Sequence, residues 1–384
     1  AANKSEVVNV AANLANSLRD LSSDIQGQRM IAEGQINSSI NNVNSILDRI
    51  HSLNGKISSM GGSDAGLADY QDQRDVELQN LAKEMDIQYF YTSDNMLQVY
   101  TRAGSSLLLS EPHYLSYSTT NVIHSTTLYP ADFSPILLDG TDITTQLSGG
   151  KLGANINLRD NIFVGEQQKL DELARVLKTE VNTILNTGAS IPGRSLMEGS
   201  LQALTPATGF TATGSIRAAV VDQNGVVVNF ADINLAAMTT INDVTTALSA
   251  IPGLTATLNA DGELSLSVVP TTNGIVINPL NSSVTSSTGE SFSQYFGLND
   301  LFYGPNAETI KVSDYLISRP DYLSTGTLDP IATLAIGDQG VARGDGSVAD
   351  AVANLLTSTL SFSAAGNFAA QSNSLLAYSQ AFMS

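Results

Sequence analysis

The side chains that could do chemistry in this chain are few, and their spacing is unproductive. There are three histidines, His51, His113 and His124. His51 falls in a helical stretch with no histidine or acidic partner four residues on, while His113 and His124 flank β segments. A zinc site needs further ligands at recognisable spacing, and no HExxH or similar pattern occurs. Cysteine is absent, which removes disulfides, thiolate metal sites and cysteine nucleophiles. Serines abound, but no G-x-S-x-G elbow anchors a hydrolase triad. Gly61-Gly62 has no lysine after it, and Gly150-Lys151 is followed by Leu152 where a phosphate loop needs serine or threonine. Asp222-Gln223-Asn224-Gly225 opens like a calcium loop but lacks the closing glutamate. Its flanks read as strands, so a hairpin turn is expected. Arg343-Gly344-Asp345 spells an integrin-binding tripeptide in a glycine-rich loop, a match short enough to arise by chance. No catalytic, cofactor-binding or metal residue is assigned, and no enzyme is expected.

One charged residue stands out by position. In Ala65–Thr101, Leu67, Tyr70, Leu78, Leu81 and Met85 draw one apolar helical stripe, and Arg74 falls on it. The expectation is an arginine whose stem packs while its guanidinium pairs with a carboxylate such as Asp72 or Asp75, or with a neighbouring helix. After Asp86 the period changes to two: Ile87, Tyr89 and Tyr91, then Leu97 and Val99, read as a hairpin around Thr92–Asn95.

The elements that must position these residues follow from composition and period. At 384 residues the chain has room for roughly two to three domains. A net charge of −19 argues against nucleic acid and against an anionic membrane. No apolar run approaches the roughly 18 residues that span a bilayer. From Ser5 to Ser58, Val7, Ala11, Leu14, Leu18, Leu21 and Ile25 step by four and three. The pattern weakens around Ala32 and resumes at Ile36, Ile40, Val43, Leu47, Ile50, Leu53 and Ile57. That predicts one long helix of about seven heptads, with a bend or helical hairpin possible between Gly27 and Gly34. Gly61-Gly62-Ser63-Asp64 should end it, with Ser63 or Asp64 capping the next helix.

Residues 87–150 read as β-structure. Leu170, Leu173, Leu177, Val181 and Ile184 form another helix, closed by Gly188. Hairpins are expected at 216–230 and 254–268 around a short helix at 240–250, and residues 281–293 read as a serine- and threonine-rich linker. Strands are expected at 310–312 and 316–318, a helix at 347–360, and further helix over 362–384.

Heptad stripes are best buried on other helices. The fold class expected is therefore α+β and multidomain, with an elongated helical-bundle trunk and inserted mainly-β domains. Residues 1–86, 151–190 and 337–384 would form the discontinuous trunk, and 87–150 a β domain. Residues 195–300 would form an outer β-rich domain with one short helix, and 301–336 the returning strands. The trunk residues expected to matter are Leu14, Leu18, Leu21, Ile50, Leu53, Ile57, Arg74, Leu78, Leu81, Leu170, Leu173, Leu177 and Val181.

Three stretches resemble the bacterial flagellar hook-associated protein 1 family, FlgK, and come in that family's order. Leu67-Ala68-Asp69-Tyr70-Gln71-Asp72-Gln73-Arg74-Asp75, with Leu78, Leu81 and Met85, is similar to its DLLDQRD helix and following hairpin. Gly149-Gly150-Lys151-Leu152-Gly153, then Leu158-Arg159-Asp160 running into Leu170-Asp171-Glu172-Leu173-Ala174 and Val181-Asn182, is the second. Val43-Asn44 through Ile50-His51-Ser52-Leu53-Asn54-Gly55-Lys56-Ile57 is the third. The resemblance implies a non-enzymatic structural protein outside the cell, forming an adaptor ring between hook and filament. It implies type III flagellar export without a cleaved signal peptide. The implied partners are other copies of itself, the hook protein, the second junction protein and an export chaperone acting on the full-length chain. The chain departs from the family by lacking both terminal segments, so this fragment is expected to be monomeric. Residues 208–279 match nothing in the family, and an alternative role for them is a surface adhesin or binding module on the same scaffold.

Overall fold

The computed structural model describes residues 2–60 and 66–384. They form two units, Leu21–Gln168 and Ala1–Asp20 with Lys169–Ser384. Both mix helices with small sheets, giving the α+β class.

The first helix, α1, runs from Ala2 to Ser59 without a break. Gly27 and Gly34 neither bend it into a hairpin nor contact anything on their open side. Its buried seam is Val8, Ala11, Ala15, Leu18, Ser22, Gln26, Arg29, Glu33 and Ile36, continuing through Ile40, Val43, Leu47, Ile50, Asn54 and Ile57. The steps of three and four never lapse, so the weak middle of the apolar pattern is a buried polar stretch. The apolar reading placed Ala11 and Leu18 correctly but drew the positions between and beyond them one residue off: Leu14 and Leu21, both expected in the trunk, are 40% and 41% exposed.

In the unit Leu21–Gln168, α2 (Leu67–Glu84) runs into β1 (Ile87–Tyr91), which pairs antiparallel with β2 (Leu97–Thr101) as the change of period predicts. The expected cap at Ser63 or Asp64 lies outside the described residues; Gly66 occupies the N-cap. Strand β3 (Ser106–Leu108) completes the first sheet. A second contains β4 (Leu115–Ser116), β5 (Leu137–Leu138) and β6 (Thr141–Asp142). Ile36 through Ile50, Leu78, Leu81, Met85, the inner faces of both sheets and Leu152 share one core. The glycines of the GGKLG stretch are explained by close packing on the α2–β1 junction. A Cβ on Gly150, at φ +65°, would lie 2.6 Å from the Glu84 carbonyl, and one on Gly149 would meet the Asp86 carboxylate at 2.1 Å. Helix α3 (Gly150–Asn157) follows, then a π-helical turn over Leu158–Ile162, then α4 (Phe163–Leu185).

In the other unit, β7 (Leu196–Glu198) is the first strand. It is followed by β8 (Ala212–Thr213), β9 (Ser215–Val221), β10 (Val227–Asn234), α5 (Ile241–Ser249), β11 (Leu254–Leu258), β12 (Leu264–Val268) and β13 (Gly274–Asn278). The sheets order as β10-β9-β13 and β11-β12-β7. Both expected hairpins form, and Thr240 caps α5 in a reciprocal box with Asp243. The 281–293 stretch is no linker: β14 (Ser283–Val284) pairs with β8, and Val284 and Phe292 are fully buried, Phe292 opening α6 (Phe292–Phe296). Two isolated apolar residues outweigh the polar composition around them. Strands β15 (Phe302–Tyr303) and β16 (Lys311–Val312) pair. The strand expected at 316–318 is instead the end of α7 (Asp314–Ser318), because the Ser313 hydroxyl accepts the Leu316 N–H and caps a helix. Helix α8 (Ser347–Leu355) starts where expected but stops before residue 360, which already lies in a strand. The C-terminal stretch is not one helix: β17 (Leu360–Phe362) and β18 (Gln371–Asn373) form a hairpin around Gly366, at φ +56°, before α9 (Leu375–Phe382).

Candidate functional site

The polar stretch of the α1 seam closes around two fully buried arginines, both 0% exposed. Arg159, in the π-turn, donates to Glu33 Oε2 at 2.6 Å, to the Tyr117 hydroxyl oxygen at 2.6 Å and to both Asp160 oxygens at 2.7 and 2.8 Å. Glu33 also accepts from the Tyr117 hydroxyl at 2.7 Å and the Thr120 N–H at 2.8 Å. Arg29 donates to Gln26 Oε1 at 2.8 Å and to the carbonyls of Arg159, His124 and Thr127 at 3.0, 3.1 and 2.6 Å. Gln26 and Ser22 in turn donate to Gln167 Oε1. The Phe133 ring lies against both guanidiniums, 4.1 Å from Arg159 and 5.8 Å from Arg29.

Charge and geometry agree in this cluster. Two guanidiniums face two carboxylates, so nothing buried is left uncompensated. Burial lowers Arg159, but its bonds to Asp160 and Glu33 more than reverse that and hold it firmly charged. Burial and the Glu33 contact push the Tyr117 phenol well up, so it stays a donor. The Arg29 Nε–H reaches the carbonyl of Arg159 within the π-turn, the kind of inserted donor that disturbs an α-helical ladder.

Arg74 is a third buried arginine, 2% exposed. It does not pair with Asp72 or Asp75. It donates to Asn54 Oδ1 at 3.0 Å and to the Asn95 carbonyl at 2.7 Å, under the ring of Tyr91. Asn54 Oδ1 also accepts the Leu97 N–H, and its amide donates to the Leu97 carbonyl. Arg74 therefore ties α1, α2 and the β1–β2 turn together. Asp75 is engaged elsewhere, accepting from the Tyr91 hydroxyl.

In the other unit, Asn182 of α4 and Asn186, just past its end, hold the segment 299–302. Asn182 Oδ1 accepts the N–H groups of Leu301 and Phe302, and Asn186 Oδ1 that of Asn299. Asp300, pushed up by burial, accepts from Ser200 and Asn186. Arg217 makes a bidentate pair with Asp232 and donates to the carbonyls of Asp329 and Ile331.

The sequence candidates for chemistry scatter. His113 meets Asp139 at 2.6 Å on the surface, and His51 faces Glu111 at 3.7 Å. Among the described residues no three acidic or histidine side chains could hold a metal ion. Asp222 Oδ1 accepts the N–H groups of Asn224 and Val226, so it closes the hairpin turn. In the Arg343-Gly344-Asp345 loop, Arg343 bonds Asn224, and the Asp345 carboxylate accepts the N–H groups of Thr327 and Ser347. Burial raises Asp345, but those bonds prevail and hold it below the usual carboxylate range. Of the expected trunk residues, Leu18, Ile50, Leu53, Ile57, Leu78, Leu81, Leu170, Leu177 and Val181 are buried and Leu173 is half-buried. Arg29, Glu33, Tyr117 and Arg159 were missed as a group. The signal was there: positions 22, 26, 29 and 33 continue the seam's steps with polar residues, which a search for apolar residues passes over.

The model of the flagellar hook-associated protein FlgK helical domain matches residues 1–197, a stretch that contains both arginine clusters. The chain belongs to the FlgK family. A comparison with curated protein sequences found no match. Among solved structures, the flagellar hook junction protein FlgK from Burkholderia pseudomallei aligns with 17% identity and a TM-score of 0.42, covering 78% of this chain and 56% of that one. The chain thus spans just over half of that protein's length. Among the described residues no helix is long and apolar enough to cross a membrane.

Proposed function

We propose that this chain is the core of a hook–filament junction protein: an exported, extracellular, non-enzymatic component of the bacterial flagellum, forming the adaptor ring on which the filament assembles. The observation that carries this reading is the family match across residues 1–197. The site chemistry is compatible with it, since Arg29, Glu33, Tyr117 and Arg159 bond within their own cluster and to backbone, as suits a mechanical part. A second apolar line on α1, Val7, Val10, Leu14 and Leu21, is 40–61% exposed at steps of three, four and seven. Such a line suits a further helix packed lengthwise in the assembled flagellum. The hook protein, the second junction protein and an export chaperone acting on the full-length protein are the partners of this reading. Deleting the whole gene should leave hooks without filaments and release unpolymerised flagellin into the medium. Normal filaments in electron micrographs of that strain would overturn it.

A further inference from the structure

Two exposed features adjoin in the unit Leu21–Gln168. Asp69, Asp72, Val76, Gln79 and Lys83 recur along α2 at steps of three and four, which sets them in one line, and all five are exposed. Arg74, the cation of the acidic half, is buried, so the exposed line is negative at its start and positive at its end. Val76 at its middle is 54% exposed. Beside the line, β1 is an edge strand of its sheet, with Tyr89, Phe90 and Tyr91 exposed at 49%, 59% and 47%. The Tyr91 hydroxyl donates to Asp75 at 3.2 Å, so the end of the aromatic strand reaches the flank of α2 beside that line. Acid at the start and base at the end of a helix is ordinary complementation of its dipole. An exposed valine between them, and an uncharged aromatic edge strand without lysine or proline, are not required by that and mark a contact surface.

We propose that this α2–β1 face pairs with the same face of a second copy of the chain, about a two-fold axis at Val76. Asp69 lies seven residues before Val76 and Lys83 seven after. Two antiparallel α2 helices centred on Val76 therefore set the Asp69–Asp72 end of each against Lys83 of the other, while parallel pairing would oppose like charges. Charge selects the occupant: with a net charge of −19, most surfaces of one copy repel another, and this line is complementary to itself. The aromatic strand supplies the apolar area that interfaces favour. One helix and one short strand make a small contact, so the chain should be monomeric when dilute and pair only as its concentration approaches millimolar. The inference goes beyond the junction role and does not rest on it.

Sedimentation velocity from micromolar to millimolar protein at about 0.15 M salt, where whole-molecule repulsion is screened, with zero-length carbodiimide cross-linking and peptide mapping, tests it. The expected result is a dimer with intermolecular links from Lys83 to Asp69 or Asp72. Lys83→Glu, and Asp69→Lys combined with Asp72→Lys, should each weaken pairing about tenfold or more. An equimolar mixture of the two variants should restore it, and Val76→Glu should abolish it by facing like charges across the axis. All these positions are exposed, and circular dichroism confirms that each variant is folded. No dimer, a dimer indifferent to these substitutions, a ladder of larger oligomers, or a mixture no better than its components would each overturn the proposal.

Discussion

Arg159 bonds Glu33 in a fully buried site, so removing Arg159 leaves the Glu33 carboxylate there without its guanidinium partner. Arg159→Met should cost about 3–5 kcal/mol, read as a lower urea midpoint. Arg74 bonds neutral acceptors, and Asn54 keeps its bonds to Leu97 without it, so Arg74→Ala should cost less, about 1–3 kcal/mol. An unchanged melting temperature for Arg74→Ala would mean that the three-way tie does not bear on stability. Asp300 gives a pH signature of opposite sign to the usual buried carboxylate pair. Its folded pKa is raised, so its ionised form opposes folding above that value, and the opposition fades as pH falls from the raised value towards the unfolded one. Asp300→Asn should flatten the stability profile over that acidic interval and leave neutral stability equal or higher. A profile parallel to that of the parent chain would contradict this.

At the scale of elements, the glycines separate two kinds of signal. Gly27 and Gly34 lie exposed in the middle of α1 with nothing near. Each changed to alanine should stabilise by about 0.5–1 kcal/mol, as loss of backbone freedom in the unfolded chain predicts. Gly150→Ala should instead destabilise strongly, because a positive φ and the Glu84 carbonyl both exclude a Cβ; thermal melts of the three variants compare them directly. The α2-to-β1 switch was legible because a change of hydrophobic period is local and unambiguous. Helix α7 was not, since five residues offer no period and a single cap decided them. The β17–β18 hairpin hid in an alanine- and serine-rich stretch whose composition favours helix. Val284 and Phe292 show how two residues draw a polar stretch into a core.

For the whole molecule, 37 acidic against 18 basic residues make self-repulsion a general term. Raising salt from about 0.01 M to about 0.15 M shortens the screening length from about 30 Å to about 8 Å. The melting temperature should rise with it, measured on the dilute monomer by thermal melts. The sequence by itself determined the long α1 helix, the α2–β1 junction, both outer hairpins and the family, because each is written in periods, turn pairs or motifs a few residues long. Only the tertiary structure decided which side of α1 is buried, and that Arg29, Glu33, Tyr117 and Arg159 form one cluster. Burial of a polar side chain depends on partners that arrive from distant parts of the chain, and no local pattern records them.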